Sequence, residues 1–505
     1  MNKLLNGMKE QSNFTYTENG SLTHRSTMSG LLDLFAMGAA YRTRSEADCI
    51  LLFKKAFDED PVYAMKCLFY LGDIRGGQGE RRFFRIVTRW LADNHTEIMR
   101  RNLQYIPEYR RWDDLYEFIG TKLEEDAFEL MRKQLMLDVQ CKAPSLLAKW
   151  LKSENTSSYK SRELANKTRK AFHMTHKEYR KTLSVLRERI KVLERLMSEN
   201  RWDEIEFDKI PSKAGLVYRN AFARRDMIKA KYEKFAKSET TKVNAGTLYP
   251  YEVVAKAYEL TRPYISYGWW GRSSRQGELP LNSTERLMIN KYWDNLTDYF
   301  NGCFLDALCM IDTSGSMWRS DAAAPINVAI ALGLYAAERA RGPFAGHYIS
   351  FSSRPQLIET SGVDFVDKVQ RIYSTNLCEN TNIEAAFDML LNTAISTRCT
   401  QADLPKSIVV ISDMEFDAQR GYYGYRDNTL MENIARKWAS AGYQMPNLVY
   451  WNVDARQNNM PMTVKDGVSF VSGFSPVIFE QIMKGKTAFD LMLDKLDSER
   501  YACIK

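Results

Sequence analysis

The chain has 505 residues, which exceeds the usual size of one domain, so we expect two to four domains. Hydrophobic residues make up 45% and charged residues 27%, proportions typical of a globular protein with sizeable cores. No apolar run reaches the length of about eighteen residues that a membrane span needs, and the first residues lack the apolar core of a signal peptide, so neither insertion nor secretion is predicted. The eight cysteines are scattered without a C-x-x-C pair, which favours free thiols in a reducing, cytoplasmic compartment over a disulfide or zinc framework.

Positive charge is concentrated in the first three fifths of the chain. Residues 1–300 hold 52 Lys and Arg against 40 Asp and Glu, whereas the remainder has a net charge of −4. Within the first part, residues 151–250 carry 24 basic and 13 acidic side chains. A local excess of this size attracts polyanions such as nucleic acid or an anionic membrane, although a solvated helical face explains the charge equally well.

Residues 1–300 are predicted to be helical throughout. Segments such as residues 61–72 and 81–93 place apolar residues three and four positions apart, and no alternating β pattern of any length is present. Arg-Trp-Asp followed by a second acid occurs at residues 111–114 and again at 201–204, which indicates a helical repeat array. The same spacing predicts one amphipathic helix through Leu183, Leu186, Ile190, Leu193 and Met197, with Arg187 among the basic residues of its outer face.

After residue 300 the pattern changes to short strands alternating with helices. This alternation predicts a mostly parallel sheet with helices on both faces, and a domain boundary near residue 300. The predicted domains are therefore residues 1–300, an α-helical repeat region, and residues 301–505, an α/β domain. The predicted strands are residues 304–312, 347–352, 406–413 and 447–453.

Polar side chains follow the first predicted strand of the second domain. Asp312 ends that strand, and Ser314 and Ser316 fall on alternate positions, so an extended loop can direct all three toward one point. Ligands of such sheets bind at the carboxyl ends of the strands, where Thr381, just before a helix, and Asp413, at another strand end, can reach the same point. Two carboxylates and three hydroxyls are hard oxygen donors that suit Mg²⁺ or Mn²⁺. Alternatively, the serines only cap the first helix.

This order of residues, D-x-S-x-S after a first strand, then a distant Thr and a strand-end Asp, resembles the metal-ion-dependent adhesion site (MIDAS) of von Willebrand factor A domains. The resemblance implies a Rossmann-like α/β domain that binds magnesium and leaves one metal position open for an acidic group of a partner. It also implies the metal ligands Asp312, Ser314, Ser316, Thr381 and Asp413. Residues 467–482 likewise resemble the last strand and helix of that domain type.

Four segments of the helical half carry a second resemblance, namely residues 71–82, 144–158, 180–214 and 244–254. They look like a domain-of-unknown-function family found in plants, large DNA viruses and phages. The layout is similar to that of the Ro autoantigen (TROVE) proteins, in which a ring of HEAT-like helical repeats is closed by a von Willebrand A domain. The resemblance implies a ribonucleoprotein component that holds noncoding or single-stranded RNA on its basic helical half.

Two basic segments of the helical half offer candidate contacts for RNA. Arg75 and Arg81 flank a Gly-rich turn whose backbone amides can cradle a phosphate. The G-K-[ST] of a P-loop is absent, and a tight helix–helix turn explains the glycines equally well. In the second segment, basic and hydroxyl side chains suit phosphate binding, or else form an exposed loop after a helix that buries Trp150. Its basic residues are Lys149, Lys152, Lys160 and Arg162.

A third candidate segment precedes the second domain. Arg272 and Arg275 alternate there with Trp269 and Trp270. Aromatic rings interleaved with arginines can stack single-stranded bases, or the tryptophans pack the linker onto the second domain.

The sequence therefore predicts a non-enzymatic, Ro-like RNA scaffold or chaperone with a divalent-metal site. No nucleophile–base pair and no general-acid carboxylate pair stands out in the motif loops, so catalysis is not predicted. The alternative is a protein-interaction or structural component, such as a virion or assembly factor, that binds an acidic partner group through the metal. No membrane partner is predicted, monomer and homo-oligomer both stay open, and association with a virion is expected if the protein is viral.

Overall fold

The computed structural model describes most of the chain, namely Met8 and residues 11–261, 266–268, 271–273, 283–300, 302–319, 321, 323–351, 354–360, 362, 364–375, 381–417, 430–461, 468–482 and 487–505. Within these residues, helices dominate up to residue 300, and a six-stranded sheet with its own helices follows. No described helix combines the length and the apolar character that a membrane span requires.

The first half contains fifteen described α-helices. Several begin at a side chain that satisfies the free amides of the first turn: Asp60 accepts from Val62 N and Tyr63 N, and Thr175 forms a capping box with Glu178. The helices are α1 Gly30–Met37, α2 Glu46–Glu59, α3 Pro61–Gly72, α4 Arg81–Asn94, α5 Thr96–Asn102, α6 Ile106–Tyr109, α7 Glu124–Gln140, α8 Leu147–Trp150, α9 Tyr159–Ala171, α10 His176–Arg189, α11 Leu193–Ser198, α12 Ser212–Arg224, α13 Asp226–Lys237, α14 Pro250–Thr261 and α15 Ser283–Asp294.

The repeated Arg-Trp-Asp motif takes up the same local structure at both positions. A 3-10 helix begins at each tryptophan, as Trp112–Phe118 and as Trp202–Glu204. The amphipathic helix predicted through residues 183–197 is wrong as one element, because the backbone of Lys191 turns left-handed (φ 47°) and separates α10 from α11. Left-handed backbone is incompatible with a continuous right-handed helix.

The first half also contains β-structure that the sequence did not reveal. β1 Phe14–Tyr16 and β2 Leu22–His24 form an antiparallel hairpin, and β3 Ser266–Gly268 pairs with β4 Gly271–Ser273. Strands of three residues are too short to show an alternating pattern, which is why an all-helical prediction failed there.

The second half is built on one sheet of mostly parallel strands, as predicted. Its described strands are β5 Ala307–Asp312, β6 His347–Phe351, β7 Gln356–Glu359, β8 Ser407–Ser412, β9 Asn447–Asn452 and β10 Ser469–Ser472. Their order in the sheet is β10–β9–β8–β5–β6–β7; among them β6 and β7 pair antiparallel, and the other neighbours are parallel. The edge strand β7 was missed because its Gln-Leu-Ile-Glu sequence is largely exposed. The described helices are α16 Pro325–Arg339, α17 Phe365–Thr375, α18 Ile383–Thr397, α19 Leu430–Ser440, α20 Phe479–Ile482 and α21 Ala488–Leu496.

Residues far apart in the sequence tie the two halves together. The β1–β2 hairpin lies against the loops that follow β8 and β9: Thr17 Oγ1 donates to the Phe416 carbonyl at 2.7 Å, and His24 N to the Met460 carbonyl at 3.0 Å. At the other end, the Tyr501 hydroxyl donates to Asp73 Oδ2 at 3.0 Å. The first and second halves of the chain are therefore in contact both near residue 20 and near residue 501.

Candidate metal centre and basic cavity

The register of the sheet brings the two predicted metal-site carboxylates together. β5 and β8 are parallel neighbours with Ile311 opposite Ile411, so Asp312 lies beside Ser412 and Asp413 follows directly. The Ser412 hydroxyl donates to Asp312 Oδ2 at 2.6 Å. Both aspartates are almost fully buried at the carboxyl end of the sheet, where ligands of such folds bind.

The loop after β5 brings the predicted hydroxyls to the same place. Asp312 Oδ1 accepts from the backbone amide of Ser314 at 2.9 Å, and the hydroxyls of Ser314 and Ser316 lie 3.2 Å apart. Thr381 is buried before α18, and its carbonyl accepts from Asp417 N at 3.0 Å in the segment after β8. The described contacts therefore connect Asp312 with Ser314, and Ser314 with Ser316. Asp413 directly follows Ser412, which donates to Asp312, and Thr381 lies beside the same strand-end segment.

Burial makes the negative charge of this site costly. Burial raises the pKa of Asp312 to about 7, and the nearby charge of Asp413 adds to the shift. Asp312 accepts only from neutral donors and forms no ion pair within the described residues. Among these residues no group of three or more His, Cys, Asp or Glu side chains could hold a metal, so hydroxyls have to complete any ligand set. A buried, unneutralised carboxylate next to a second carboxylate and hydroxyls fits Mg²⁺ or Mn²⁺ chemically.

A cationic side chain that the sequence did not point to lies on the other carboxylate. Arg456, after β9, places Nη2 2.8 Å from Asp413 Oδ2 and Nη1 2.8 Å from Glu18 Oε2. The Glu18 backbone amide donates to Glu415 Oε2 at 2.7 Å, and Asn459 Nδ2 donates to Glu415 Oε1 at 2.8 Å. Burial raises the pKa of Glu415 to about 7. The hairpin loop between β1 and β2 thus adjoins the candidate metal site.

A second candidate site is a cavity of about 1690 Å³ in the helical half. Its wall carries twelve Arg and Lys side chains and five Glu side chains, an excess that draws in polyanions. Elements distant in sequence line it, from the Gly-rich turn and Trp112 to α10, α11 and the start of α14. The twelve basic residues are Arg42, Arg75, Arg81, Arg82, Arg110, Arg111, Lys149, Lys152, Arg180, Arg187, Arg195 and Lys213.

Four of the eight predicted RNA contacts line this cavity, although they come from two separate segments. They are Arg75, Arg81, Lys149 and Lys152. The exposed Lys160 and the half-buried Arg162 do not line it, and Arg162 Nη1 donates instead to the carbonyls of Thr156 and Ser157. Arg272 lies in β4, and Trp269, Trp270 and Arg275 lie outside the described residues.

Two buried aspartates neutralise some of the arginines in the cavity wall. Asp113 and Asp114, both buried, accept from Arg81, and Asp114 Oδ2 also lies 3.2 Å from Arg110 Nε. Asp113 is paired with Arg111 at 3.1 Å as well. A buried carboxylate is stable only when it is paired and hydrogen-bonded, so these arginines are needed as partners of the two aspartates and stabilise the wall.

Five other cations of the wall have no carboxylate partner for their side chains within the described residues: Arg75, Arg82, Lys149, Lys152 and Arg187. Arg187 is held by neutral acceptors only, with its three nitrogens 2.7 to 2.9 Å from the Ala148 carbonyl, the Leu151 carbonyl and the Ser153 hydroxyl. The sequence placed it on an outer helical face, whereas it fixes the loop that presents the two lysines. Burial lowers the pKa of Arg187, as expected for a desolvated charge without a counter-ion.

Aromatic rings accompany the charges in the wall. The Arg111 guanidinium lies 4.3 Å from the centre of the half-buried Trp150 ring, and Lys149 Nζ lies 5.8 Å from it. Lys152 Nζ lies 5.4 Å from the Tyr116 ring. Trp150 is therefore a cavity residue and not the core residue of the alternative interpretation.

The Gly-rich turn is explained by close packing. A Cβ at Gly77 would lie 1.9 Å from the Tyr70 carbonyl oxygen, and Gly79 has φ +62° and adjoins the Tyr249 hydroxyl. The tight-turn interpretation of the glycines is therefore sufficient. The turn still contributes Arg75, whose Nη1 donates to the Glu108 carbonyl at 2.7 Å.

Two family models match the chain. Domain of unknown function DUF2828 matches residues 17–143 and 134–301, and domain of unknown function DUF7788 matches residues 306–501. The uncharacterized protein L728 of Acanthamoeba polyphaga mimivirus is 28% identical over 522 residues, covering 94% of this chain and 85% of that protein. The crystal structure of the Deinococcus radiodurans RO (RSR) protein has a TM-score of 0.43 and 13% identity, covering 94% of this chain and 100% of that one. The predicted resemblance to a domain-of-unknown-function family is confirmed: since its model matches more than half of the chain, this protein belongs to the DUF2828 family.

Proposed function

We propose that this protein is a non-enzymatic RNA-binding protein that holds single-stranded RNA in the basic cavity of its helical half. The observation that carries the proposal is the group of five cations, Arg75, Arg82, Lys149, Lys152 and Arg187, that line one cavity without carboxylate partners among the described residues. Unpaired cations around a concave surface bind phosphates and release counter-ions, which supplies most of the affinity of nucleic-acid binding.

The aromatic residues of the wall support a single strand over a duplex. Bases of a single strand are free to stack on an aromatic face such as that of Trp150, which already carries Arg111. In duplex RNA the bases are stacked on each other and only the backbone is offered. The lysines and Arg75 would bind the phosphates, and the buried ion pairs of Asp113 and Asp114 keep the wall rigid.

The carboxyl-terminal domain, in the same proposal, is a Rossmann-like von Willebrand factor A domain with a metal-ion-dependent adhesion site. Asp312, Ser314, Ser316, Thr381 and Asp413 would hold Mg²⁺ or Mn²⁺. The ion would neutralise the buried carboxylates and offer a Lewis-acidic position to an oxygen ligand. The short contacts among Asp312, Ser314 and Ser316 support this assignment.

A second candidate function follows from that site. A protein-interaction or structural component would bind an acidic group of a partner through the metal. The uncompensated charge of the buried Asp312 favours this candidate, because a carboxylate without a counter-ion is costly unless a cation completes the site.

A titration of fluorescent RNAs with the purified protein separates the two functions. A single strand, a duplex and a duplex with a single-stranded tail are compared at about 50 mM and about 200 mM salt, since phosphate binding weakens steeply over this range. RNA binding predicts submicromolar affinity for the single strand and the tailed duplex, lost at the higher salt and unchanged by EDTA. Equal weak binding of all three RNAs, or none, would refute the RNA proposal and favour a protein partner.

A further inference from the structure

The candidate metal site already contains a cation supplied by the protein. The Arg456 guanidinium bridges Asp413 and Glu18 at 2.8 Å each, with one nitrogen on each carboxylate. Asp413 is fully buried, whereas Arg456 and Glu18 are partly exposed. Glu18 belongs to the loop of the β1–β2 hairpin, so a residue from the start of the chain positions this arginine.

Several contacts fix the segment that carries Arg456. The Ala455 amide donates to the Ala40 carbonyl at 3.1 Å, Arg44 Nη1 donates to the Arg456 carbonyl, and Gln457 Nε2 lies 3.3 Å from Glu18 Oε1. These contacts fix the backbone on both sides of Arg456, so the fold itself holds the guanidinium at Asp413.

A guanidinium and a divalent ion cannot both interact fully with the same carboxylate. Asp413 Oδ2 is engaged by Arg456, and Oδ1 accepts from the Glu415 amide at 3.2 Å. A divalent ion bound between Asp312 and Asp413 would lie within a few ångströms of the guanidinium in a buried, weakly screened environment. Like charges repel strongly there.

We propose that Arg456, positioned by Glu18, is a resident cation of the metal site that competes with the divalent ion for Asp413. The inference rests on the proposed metal site and goes beyond it. Arg456 thereby lowers metal affinity, and Glu18 raises it by drawing the guanidinium toward the hairpin. Metal loading and the docking of the hairpin are linked, because both depend on which carboxylate Arg456 neutralises.

Titration of the metal-free full-length protein with Mn²⁺ by calorimetry tests the proposal through the sign of the effect. Arg456→Gln is expected to bind Mn²⁺ at least about tenfold more tightly than the wild type, because one buried positive charge is gone. Arg456→Lys keeps the charge and is expected to stay near the wild type. Glu18→Gln is expected to bind about threefold more weakly, because it leaves the guanidinium wholly on Asp413. Arg286→Gln is the matched control, since Arg286 also bridges two carboxylates, Asp364 and Asp367, but neither predicted metal-site aspartate.

The outcomes separate this inference from the metal site itself. Tighter binding in Arg456→Gln, or binding that appears only in that variant, supports the inference. Equal or weaker Mn²⁺ binding in Arg456→Gln overturns it and makes Arg456 a structural brace, while the metal site stands. If neither the wild type nor Arg456→Gln shows Mn²⁺ binding that depends on Asp312, the metal site and the inference are both overturned.

Discussion

Replacing the two unpaired lysines of the cavity should weaken RNA binding without affecting the fold. Lys149 and Lys152 line the cavity, and neither forms an ion pair within the described residues, so Lys149→Gln with Lys152→Gln removes two charges and no salt bridge. Each phosphate contact of a single strand contributes about 0.7 to the slope of log K against log salt concentration. Loss of two contacts should lower the slope by about 1.4 and, at about 0.1 M salt, weaken binding about 25-fold.

Fluorescence anisotropy of a single-stranded RNA at several salt concentrations measures both quantities. Lys142→Gln with Lys160→Gln is the matched control, since both lysines are exposed near the same loop and neither lines the cavity. The control pair should change affinity by less than a few fold. If the control pair weakened binding as much as the cavity pair, or if the cavity pair changed affinity with no change in slope, phosphate binding in the cavity would be refuted.

Three further outcomes are expected. Asp312→Asn should unfold at a higher temperature than the wild type in EDTA, because it removes a buried charge, and should lose any stabilisation by Mn²⁺; a lower unfolding temperature in EDTA would contradict the account. Burial raises the pKa of Asp312 to about 7 in the folded protein, so between its ordinary value and about 7 the folded state keeps a proton that the unfolded state has released. The stability of the wild type therefore falls as pH rises through this window, and the gap between Asp312→Asn and wild type should widen up to about pH 7 and level off above it. A gap independent of pH in a series of thermal melts would show that this carboxyl is not the cause. Arg500→Ala should lower the free energy of unfolding by about 2 kcal/mol in urea titrations, because it leaves the fully buried Asp73 with the Tyr501 hydroxyl but no cation; an unchanged midpoint would mean that this contact between the two halves contributes nothing.

The sequence was most informative where chemistry is local. Asp312, Ser314 and Ser316 lie within five residues, so their spacing alone indicated one site. Their place directly after a predicted strand indicated that the site lies at the carboxyl end of the sheet. Asp413 could be added because strand ends of a parallel sheet meet at one edge, and the β5–β8 register confirms that it follows the residue beside Asp312. The role of all five residues as metal ligands, Thr381 included, stays a prediction.

The sequence was least informative where function depends on distant segments. Arg456 and Glu18 carry no local motif. Arg456 reaches Asp413 from the loop after β9, the parallel neighbour of β8, and Glu18 reaches Arg456 only because the β1–β2 hairpin docks against that loop. Arg187 was assigned to an outer face because helical periodicity shows which side of a helix is apolar, not which loop lies against its polar side. The break at Lys191 was hidden for a similar reason, since the apolar spacing continues through it.

Cross-linking of a single-stranded RNA that contains 4-thiouridine, followed by peptide mapping, shows which surface of the protein holds the RNA. We expect cross-links to peptides that line the cavity, around Trp112, Trp150 and Tyr249, and their loss in Lys149→Gln with Lys152→Gln. Cross-links confined to the carboxyl-terminal domain, or spread evenly over basic surface peptides such as that of Lys160, would contradict RNA binding in the cavity.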